Sequence, residues 1–224
     1  MTRILRTNGT AILHDPALLP GVEPDWFDPQ WWARRGRVAD ELGGRARAVA
    51  VRLDDDGQAV LRRYHRGGWM RRFVRDRYAY TGLERTRSFR EWRLMRALRE
   101  ARLPVPEPLA AYCQVSGPVY RAALLTRRVD HAADLADRAA QLGAEDWERL
   151  GSTIRRFADA GLRHPDLNAG NLLFDESGRF WMLDFDRARL LDEPAPAAAM
   201  ITRLRRSLVK LGLPHDAEAL ERGA

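Results

Sequence analysis

Three side chains in the last third of the chain have the types and the order that phosphoryl transfer requires. The stretch from Leu162 to Arg187 reads LRHPDLNAGNLLFDESGRFWMLDFDR. Within it, His164, Asp166 and Asn171 form H-x-D-L-x-x-x-N, and Leu183 to Asp186 reads Leu-Asp-Phe-Asp. Moving a phosphoryl group to a hydroxyl needs one carboxylate at that hydroxyl, to orient it and take its proton. It also needs an amide oxygen and a second carboxylate on the magnesium ions that bridge the phosphates. Asp166 is the candidate base, and Asn171 and Asp184 are the candidate metal ligands. Alone, Asp and Asn here would read as an ordinary surface turn, which both residues favour. The joint spacing, with an apolar hairpin between Asn171 and Asp184, favours the chemical reading. Asp186 reads either as a second acidic metal contact or as a local structural acceptor.

These residues need elements to hold them. Two apolar runs flank the turn Asp175-Glu176-Ser177-Gly178, so a hairpin separates Asn171 from Asp184. Upstream, two helices are expected. The second, 144–160, carries Trp147, Leu150, Ile154 and Phe157 on one face. Earlier still, 46–52 and 59–64 read as strands joined by Asp54-Asp55-Asp56-Gly57. The periodicity of Phe89, Trp92, Leu94, Met95 and Leu98 predicts a helix over 84–102, stopped by Leu103-Pro104-Val105-Pro106. A hairpin around Ser116-Gly117-Pro118 follows, with strands at 109–115 and 120–129. The first 32 residues read as irregular, yet are too apolar for a disordered tail and should pack on the fold.

The fold class that accommodates this order is α+β, a two-lobed protein kinase-like fold in one domain over 1–224. A small, mostly antiparallel N-lobe sheet spans about 1–125, and a reduced helical C-lobe spans about 126–224. Such an N-lobe needs a fixed cation on the α- and β-phosphates of the nucleotide and a carboxylate to hold it. Lys210 is the only lysine of the chain, so arginine must serve. Ala59-Val60-Leu61-Arg62 stands at the right place, with Glu91 on the inward helix face as partner. Arginine suits the task because its fork matches phosphate and carboxylate in pairs and never loses its charge. Arg63 is the alternative if the strand is shifted by one, since that shift exchanges the faces. The bland reading is an edge arginine and a solvated glutamate. Gly43 and Gly44 read as a phosphate-covering loop, where a missing Cβ lets backbone amides approach, or as a plain turn.

The segment from Arg62 to Arg77 holds seven arginines against one acid, Asp76. Such runs are usually solvated faces. Its place beside the phosphate-binding strand favours an anionic acceptor or membrane surface, with Arg66, Arg71 and Arg72 as substrate contacts. No nucleic-acid motif accompanies the charge, so nucleic acid is not an expected partner. Near the C-terminus, Ile201, Leu204, Leu208 and Leu211 recur at helical spacing, with Arg203, Arg205, Arg206 and Lys210 on other faces. That pattern fits a closing helix, a basic amphipathic helix on anionic lipid, or both.

Composition sets the frame. The 224 residues are 45% hydrophobic and 31% charged, with a net charge of +7, as in a soluble globular protein. No apolar run is long enough to span a bilayer, and the N-terminus lacks the pattern of a signal peptide. Cys113 is the only cysteine, which excludes an intrachain disulfide and makes a reducing cytoplasm the expected setting. Only 40 residues follow Asp184, and none of them forms Ala-Pro-Glu. The part of a protein kinase that binds protein substrates is therefore expected to be absent, and a small-molecule, sugar or lipid acceptor is expected.

Several stretches together resemble the lipopolysaccharide kinase family, and within it the enzymes acting on 3-deoxy-D-manno-octulosonic acid (Kdo). They are Arg62 to Gly68, Thr86 to Glu91, Leu103 to Pro108, His164 to Asn171, and Asp184-Phe185-Asp186-Arg187. The likeness covers nearly the whole chain, from Asp28-Pro29-Gln30-Trp31-Trp32 onward. It implies a kinase that uses ATP and Mg2+ to phosphorylate the 4-hydroxyl of Kdo in Kdo-lipid A. It also implies a peripheral position on the cytoplasmic face of the inner membrane of a Gram-negative bacterium. By motif match Asp166 is the base, Asn171 and Asp184 bind metal, and Arg62 takes the phosphate position. A heptose kinase of the same family and a catalytically silent membrane adaptor are the competing expectations. The intact Asp166, Asn171 and Asp184 count against the second.

Overall fold

A computed structural model of the chain describes residues 1–42, 48–55, 57–64 and 77–224. Gly43, Gly44, Arg66, Arg71 and Arg72 lie outside the described residues. The chain divides into two compact units. One is Met1–Arg93 with Glu107–Arg128, and the other is Leu94–Pro106 with Val129–Ala224. The α+β class is observed: an antiparallel sheet dominates the first unit and helices the second.

The first unit is built on β1 (Arg3–Thr7), β2 (Thr10–His14), β3 (Val38–Leu42), β4 (Ala48–Arg52), β5 (Gln58–Arg63), β6 (Tyr78–Ala79), β7 (Pro108–Ser116) and β8 (Val119–Arg127). The strands pair in the order β1-β2-β7-β8-β5-β4-β3, and β6 also pairs with β8. The sheet is therefore wider than the sequence reading implied. The first 32 residues, read as irregular, contribute the hairpin β1–β2. Its turn is Asn8-Gly9, both at positive φ (41° and 76°), and Asn-Gly is a favoured pair in that geometry.

The rest of the N-terminal segment packs on the sheet, as its apolar character requires. Asp28 caps α1 (Pro29–Arg34) by accepting from the Gln30 N–H at 3.2 Å, with Pro29 at the position where a missing N–H costs nothing. Trp32 is fully buried and donates its indole N–H to the Trp26 carbonyl at 2.7 Å. It shares one core with Leu19, Val22, Phe27, Leu61, Leu109 and Leu125. Each edge-on or stacked aromatic pair here adds about 0.5–1.5 kcal/mol beyond its burial. The pairs are Trp26–Trp32 at 5.3 Å, Trp31–Trp32 at 4.8 Å and Phe27–Tyr112 at 4.7 Å.

The helix predicted over 84–102 is shorter. A 3-10 turn covers Leu83–Arg85, and α2 runs Arg87–Glu100. Thr86 separates them by donating its hydroxyl to the Leu83 carbonyl at 2.7 Å. Side-chain hydrogen bonds of this kind compete with a continuing helix. Phe89, Trp92, Met95 and Leu98 are buried as the periodicity required.

The second unit contains β9 (Ala132–Asp134), α3 (Leu135–Arg138), α4 (Ala144–Asp159), β10 (Leu162–Arg163), β11 (Leu172–Asp175), β12 (Phe180–Met182), β13 (Arg189–Leu190), α5 (Ala197–Lys210) and α6 (Ala217–Gly223). Trp147, Leu150, Ile154 and Phe157 of α4 are buried. The strand β11 pairs with both β12 and β9, and β10 pairs with β13. Gly161 joins α4 to β10 at φ 83°; a Cβ there would lie 2.5 Å from the Leu191 carbonyl oxygen. Only glycine fits both demands. In α5, Ile201, Leu204 and Leu208 are buried. Leu211, read as part of the same apolar face, is 56% exposed. The helix ends at Lys210 and the chain turns at Gly212, φ 64°. The helix α6 was not anticipated, because its seven residues bury only Ala219 and Leu220.

Candidate active site

In the first unit, alternation along β5 decides which arginine faces α2. Ala59 and Leu61 belong to the core on one side of the sheet, so Arg62 and Tyr64 project to the other. There Arg62 Nη2 donates to Glu91 Oε1, and the Tyr64 hydroxyl donates to Glu91 Oε2. Arg62 forms the expected pair, and Arg63 lines the opposite face beside Tyr112 and Arg121. The Glu91 side chain is 1% exposed and that of Arg62 19%. A buried carboxylate is tolerable only with such partners. The Arg62 guanidinium also lies 4.9 Å from the Tyr64 ring centre, which fixes its direction further. Sequence reasoning missed Tyr64, although it follows Arg62 by two and so must share its face.

In the second unit, the loop after β10 is organised around two carbonyls. The Asp166 carbonyl accepts from Asn168 Nδ2 at 2.8 Å and from Asn171 Nδ2 at 3.2 Å. These bonds close the loop on itself. They leave the Asp166 carboxylate free of the loop's own backbone and the Asn171 amide oxygen as an acceptor. The Leu183 carbonyl accepts from the His164 Nε2–H at 3.3 Å, and the Leu183 N–H donates to the Asn171 carbonyl at 2.8 Å. Residue 183 thus ties the loop to the segment that carries Asp184. His164 is buried, with Phe185 at 5.7 Å between ring centres. The first residue of the motif is a structural hub.

Asp184 is exposed and has φ 58°, in the left-handed region. Few residues other than Gly, Asn and Asp adopt it, and non-glycine residues held there cluster at functional sites. Asp186, two residues on, is half-buried. The hairpin β11–β12 that separates Asn171 from Asp184 is fastened by Asp175. Its carboxylate accepts from Ser177 N–H (2.9 Å), Ser177 hydroxyl (2.6 Å), Arg179 N–H (2.9 Å) and Trp181 indole N–H (2.7 Å). Burial pushes the Asp175 carboxyl up, and these hydrogen bonds outweigh it, holding the group below the usual carboxylate value.

Two further contacts were not legible in the motif. Arg187 Nη1 lies 3.0 Å from Asp166 Oδ2. The Ala169 N–H donates to Ser207 Oγ at 3.3 Å, so α5 supports the loop from behind. Both join residues at least 21 positions apart, and no local pattern announces them.

The donor set fits magnesium. One carboxylate (Asp184) and one amide oxygen (Asn171) are hard oxygen ligands, and Mg2+ keeps several waters and takes few protein ligands. Among the described residues no cluster of three or more His, Cys, Asp or Glu is poised to hold a metal. The arrangement can orient a hydroxyl, accept its proton and bind a phosphate-bridging cation.

Comparison with known proteins agrees with this chemistry. Residues 29–223 match the family described as the lipopolysaccharide kinase (Kdo/WaaP) family. The chain is 48% identical over 204 residues, 90% of its length, to a 3-deoxy-D-manno-octulosonic acid kinase of Stenotrophomonas maltophilia (strain R551-3), covering 81% of that protein. Identity and coverage are the same for proteins of that name from Xanthomonas oryzae pv. oryzae (strain PXO99A) and Xanthomonas campestris pv. campestris (strain B100).

Proposed function

Because this chain belongs to the lipopolysaccharide kinase (Kdo/WaaP) family, we propose that it transfers the γ-phosphoryl group of ATP to the 4-hydroxyl of the Kdo sugar in Kdo-lipid A. The chain is a kinase with a kinase-like α+β fold. The observation that carries the acceptor is the 48% identity, across 90% of the chain, to proteins named for Kdo phosphorylation.

Asp166 takes the proton of the sugar hydroxyl as that oxygen bonds to the γ-phosphorus. The bond from phosphorus to the β-bridging oxygen breaks, and ADP leaves with that electron pair. Asn168 and Asn171 hold the loop so that the Asp166 carboxylate stays directed outward. Asn171 and Asp184 would hold Mg2+, which would neutralise charge on the phosphate oxygens. Arg62, locked by Glu91 and Tyr64, binds the α- and β-phosphates as a charge that cannot be lost. Gly43 and Gly44 supply backbone amides to the phosphates, and Arg66, Arg71 and Arg72 contact the anionic acceptor. The acceptor is lipid-linked, so the reading puts the enzyme on the cytoplasmic face of the inner membrane as a peripheral protein. Among the described residues no helix is long and apolar enough to cross a membrane.

The test is transfer of labelled γ-phosphate from Mg-ATP to Kdo-lipid A, run beside heptose-bearing acceptors and with Asp166→Ala as control. Transfer to Kdo alone, reduced about 10²–10⁴-fold in the control, is expected. Transfer to heptose and not to Kdo would reassign the acceptor. Transfer undiminished in Asp166→Ala would remove that residue as the base.

A further inference from the structure

The helix α5 has two faces with different tasks. Its inner face buries Met200, Ile201, Leu204 and Leu208, and from it Ser207 Oγ accepts the N–H of Ala169 in the catalytic loop. Its outer face carries Thr202, Arg206, Val209 and Lys210, which line a shallow open groove together with Arg205. No acidic residue occurs anywhere in Ala197–Lys210. Of its cations, Arg205 is paired with Glu221, whereas Arg206 and Lys210 make no ion pair among the described residues.

This basic face also exposes apolar surface. Val209 is 67% exposed and Leu211, just past the helix end, 56%. Among the described residues only Met1, Leu5 and Leu190 are comparably exposed large hydrophobics. Apolar side chains beside unpaired cations, on a helix that carries no acid of its own, match an anionic bilayer. The aliphatic parts enter the headgroup boundary while the charges meet lipid phosphates. A neutral protein surface would leave the cations without counter-charges, and a purely polar acidic one would leave Val209 and Leu211 uncovered.

We propose that the outer face of α5, with Arg206, Val209, Lys210 and Leu211 at its centre, docks this chain on an anionic lipid surface. The inner face of the same helix touches the catalytic loop. Docking through the outer face therefore brings the membrane to the helix that supports the catalytic loop. This deepens the proposed function, on which it rests for the lipid-linked acceptor, by assigning the surface that meets the membrane.

The experiment is co-sedimentation of the full chain with phosphatidylcholine vesicles, with and without phosphatidylglycerol. Transfer to a soluble, deacylated Kdo acceptor is measured in parallel. The wild type is expected to bind only the phosphatidylglycerol vesicles. Binding should weaken about fivefold in each of Arg206→Gln and Lys210→Gln, and be lost in Val209→Glu. These side chains are exposed, so thermal unfolding and transfer to the soluble acceptor should not change. Equal vesicle binding by wild type and all three variants would overturn the proposal. So would a wild-type dimer, seen by light scattering, that dissociates in Val209→Glu without any vesicle binding, since the face would then belong to a second copy. Vesicle binding that follows the expected pattern, with no transfer to any acceptor, would uphold the docking face and sink the kinase reading instead.

Discussion

Arg187 Nη1 sits 3.0 Å from Oδ2 of Asp166, so the carboxylate assigned to the acceptor hydroxyl is already held on one oxygen by a cation. Oδ1 is left for the hydroxyl. The Arg187 side chain is 68% exposed and that of Asp166 40%, so the pair adds at most about 1 kcal/mol to stability. Its effect falls on the direction of the carboxylate. Arg187→Ala should lower kcat about tenfold, equivalent to about 1.4 kcal/mol, with KM for ATP and the unfolding midpoint little changed. Arg187→Lys should recover part of the loss. A purely structural role would move the unfolding midpoint and leave kcat alone; steady-state kinetics beside thermal melts separates the two.

Among the described residues Glu91 accepts from Arg62 on one oxygen and from Tyr64 on the other. Glu91→Ala removes the half-buried ion pair with Arg62 and should destabilise by about 3–5 kcal/mol. Tyr64→Phe removes the hydrogen bond to the charged Glu91 and should cost about 1.5–3 kcal/mol. Arg62→Ala should raise KM for ATP in addition to any loss of stability. Urea titrations with parallel kinetics check all three, and an unchanged KM in Arg62→Ala would count against its phosphate role.

The hairpin between Asn171 and Asp184 should be sensitive to acid. The hydrogen bonds to Asp175 hold its carboxyl below the ordinary value despite burial. A group depressed in the folded state contributes stability above its unfolded pKa, about 3.9 for Asp, and loses it as pH falls through the folded value. Asp175→Asn should therefore be less stable than wild type at neutral pH, and the difference should shrink as pH falls below the ordinary carboxylate value of about 3.9. Urea midpoints for both proteins across that range would show it; parallel curves would refute it.

Cys113 should be chemically silent in the folded protein. Burial pushes its thiol up to about 12, with a Thr86 hydrogen bond working the other way. The thiolate is the reactive form, so a disulfide reagent at pH 8 should label it only after unfolding. Labelling at the rate of a free thiol in native buffer would contradict the burial.

Asp184 links backbone to chemistry. At φ 58° asparagine is tolerated and a β-branched residue is not. Asp184→Asn should keep its melting temperature while needing far more Mg2+ for the same rate. Asp184→Val should lose both activity and about 1–2 kcal/mol of stability. Magnesium titrations and calorimetry test the pair.

Much of this was readable locally. Phe89, Trp92, Met95 and Leu98 announced the buried face of α2 by their spacing, and Trp147, Leu150, Ile154 and Phe157 did so for α4. Asn8-Gly9 also carried a hairpin signal, overlooked because the strand Arg3–Thr7 is almost wholly exposed and lacks clean alternation. The end of α2 was misjudged at its start, where one threonine hydroxyl, not a change of periodicity, interrupts the helix.

The sequence by itself determined the chemical inventory and its order: Asp166, Asn171 and Asp184 on short loops, Arg62 on a strand, Glu91 on a helix. Side-chain type and local spacing suffice for that, because periods of two and 3.6 residues follow from backbone geometry. Beyond the Arg62–Glu91 pair, tertiary structure decided the partners. Tyr64 takes the second oxygen of Glu91, 27 residues away; Arg187 grips Asp166 across 21; Ser207 meets Ala169 across 38. Such contacts depend on how whole elements pack, and packing is governed by shape and burial that no short window of sequence contains.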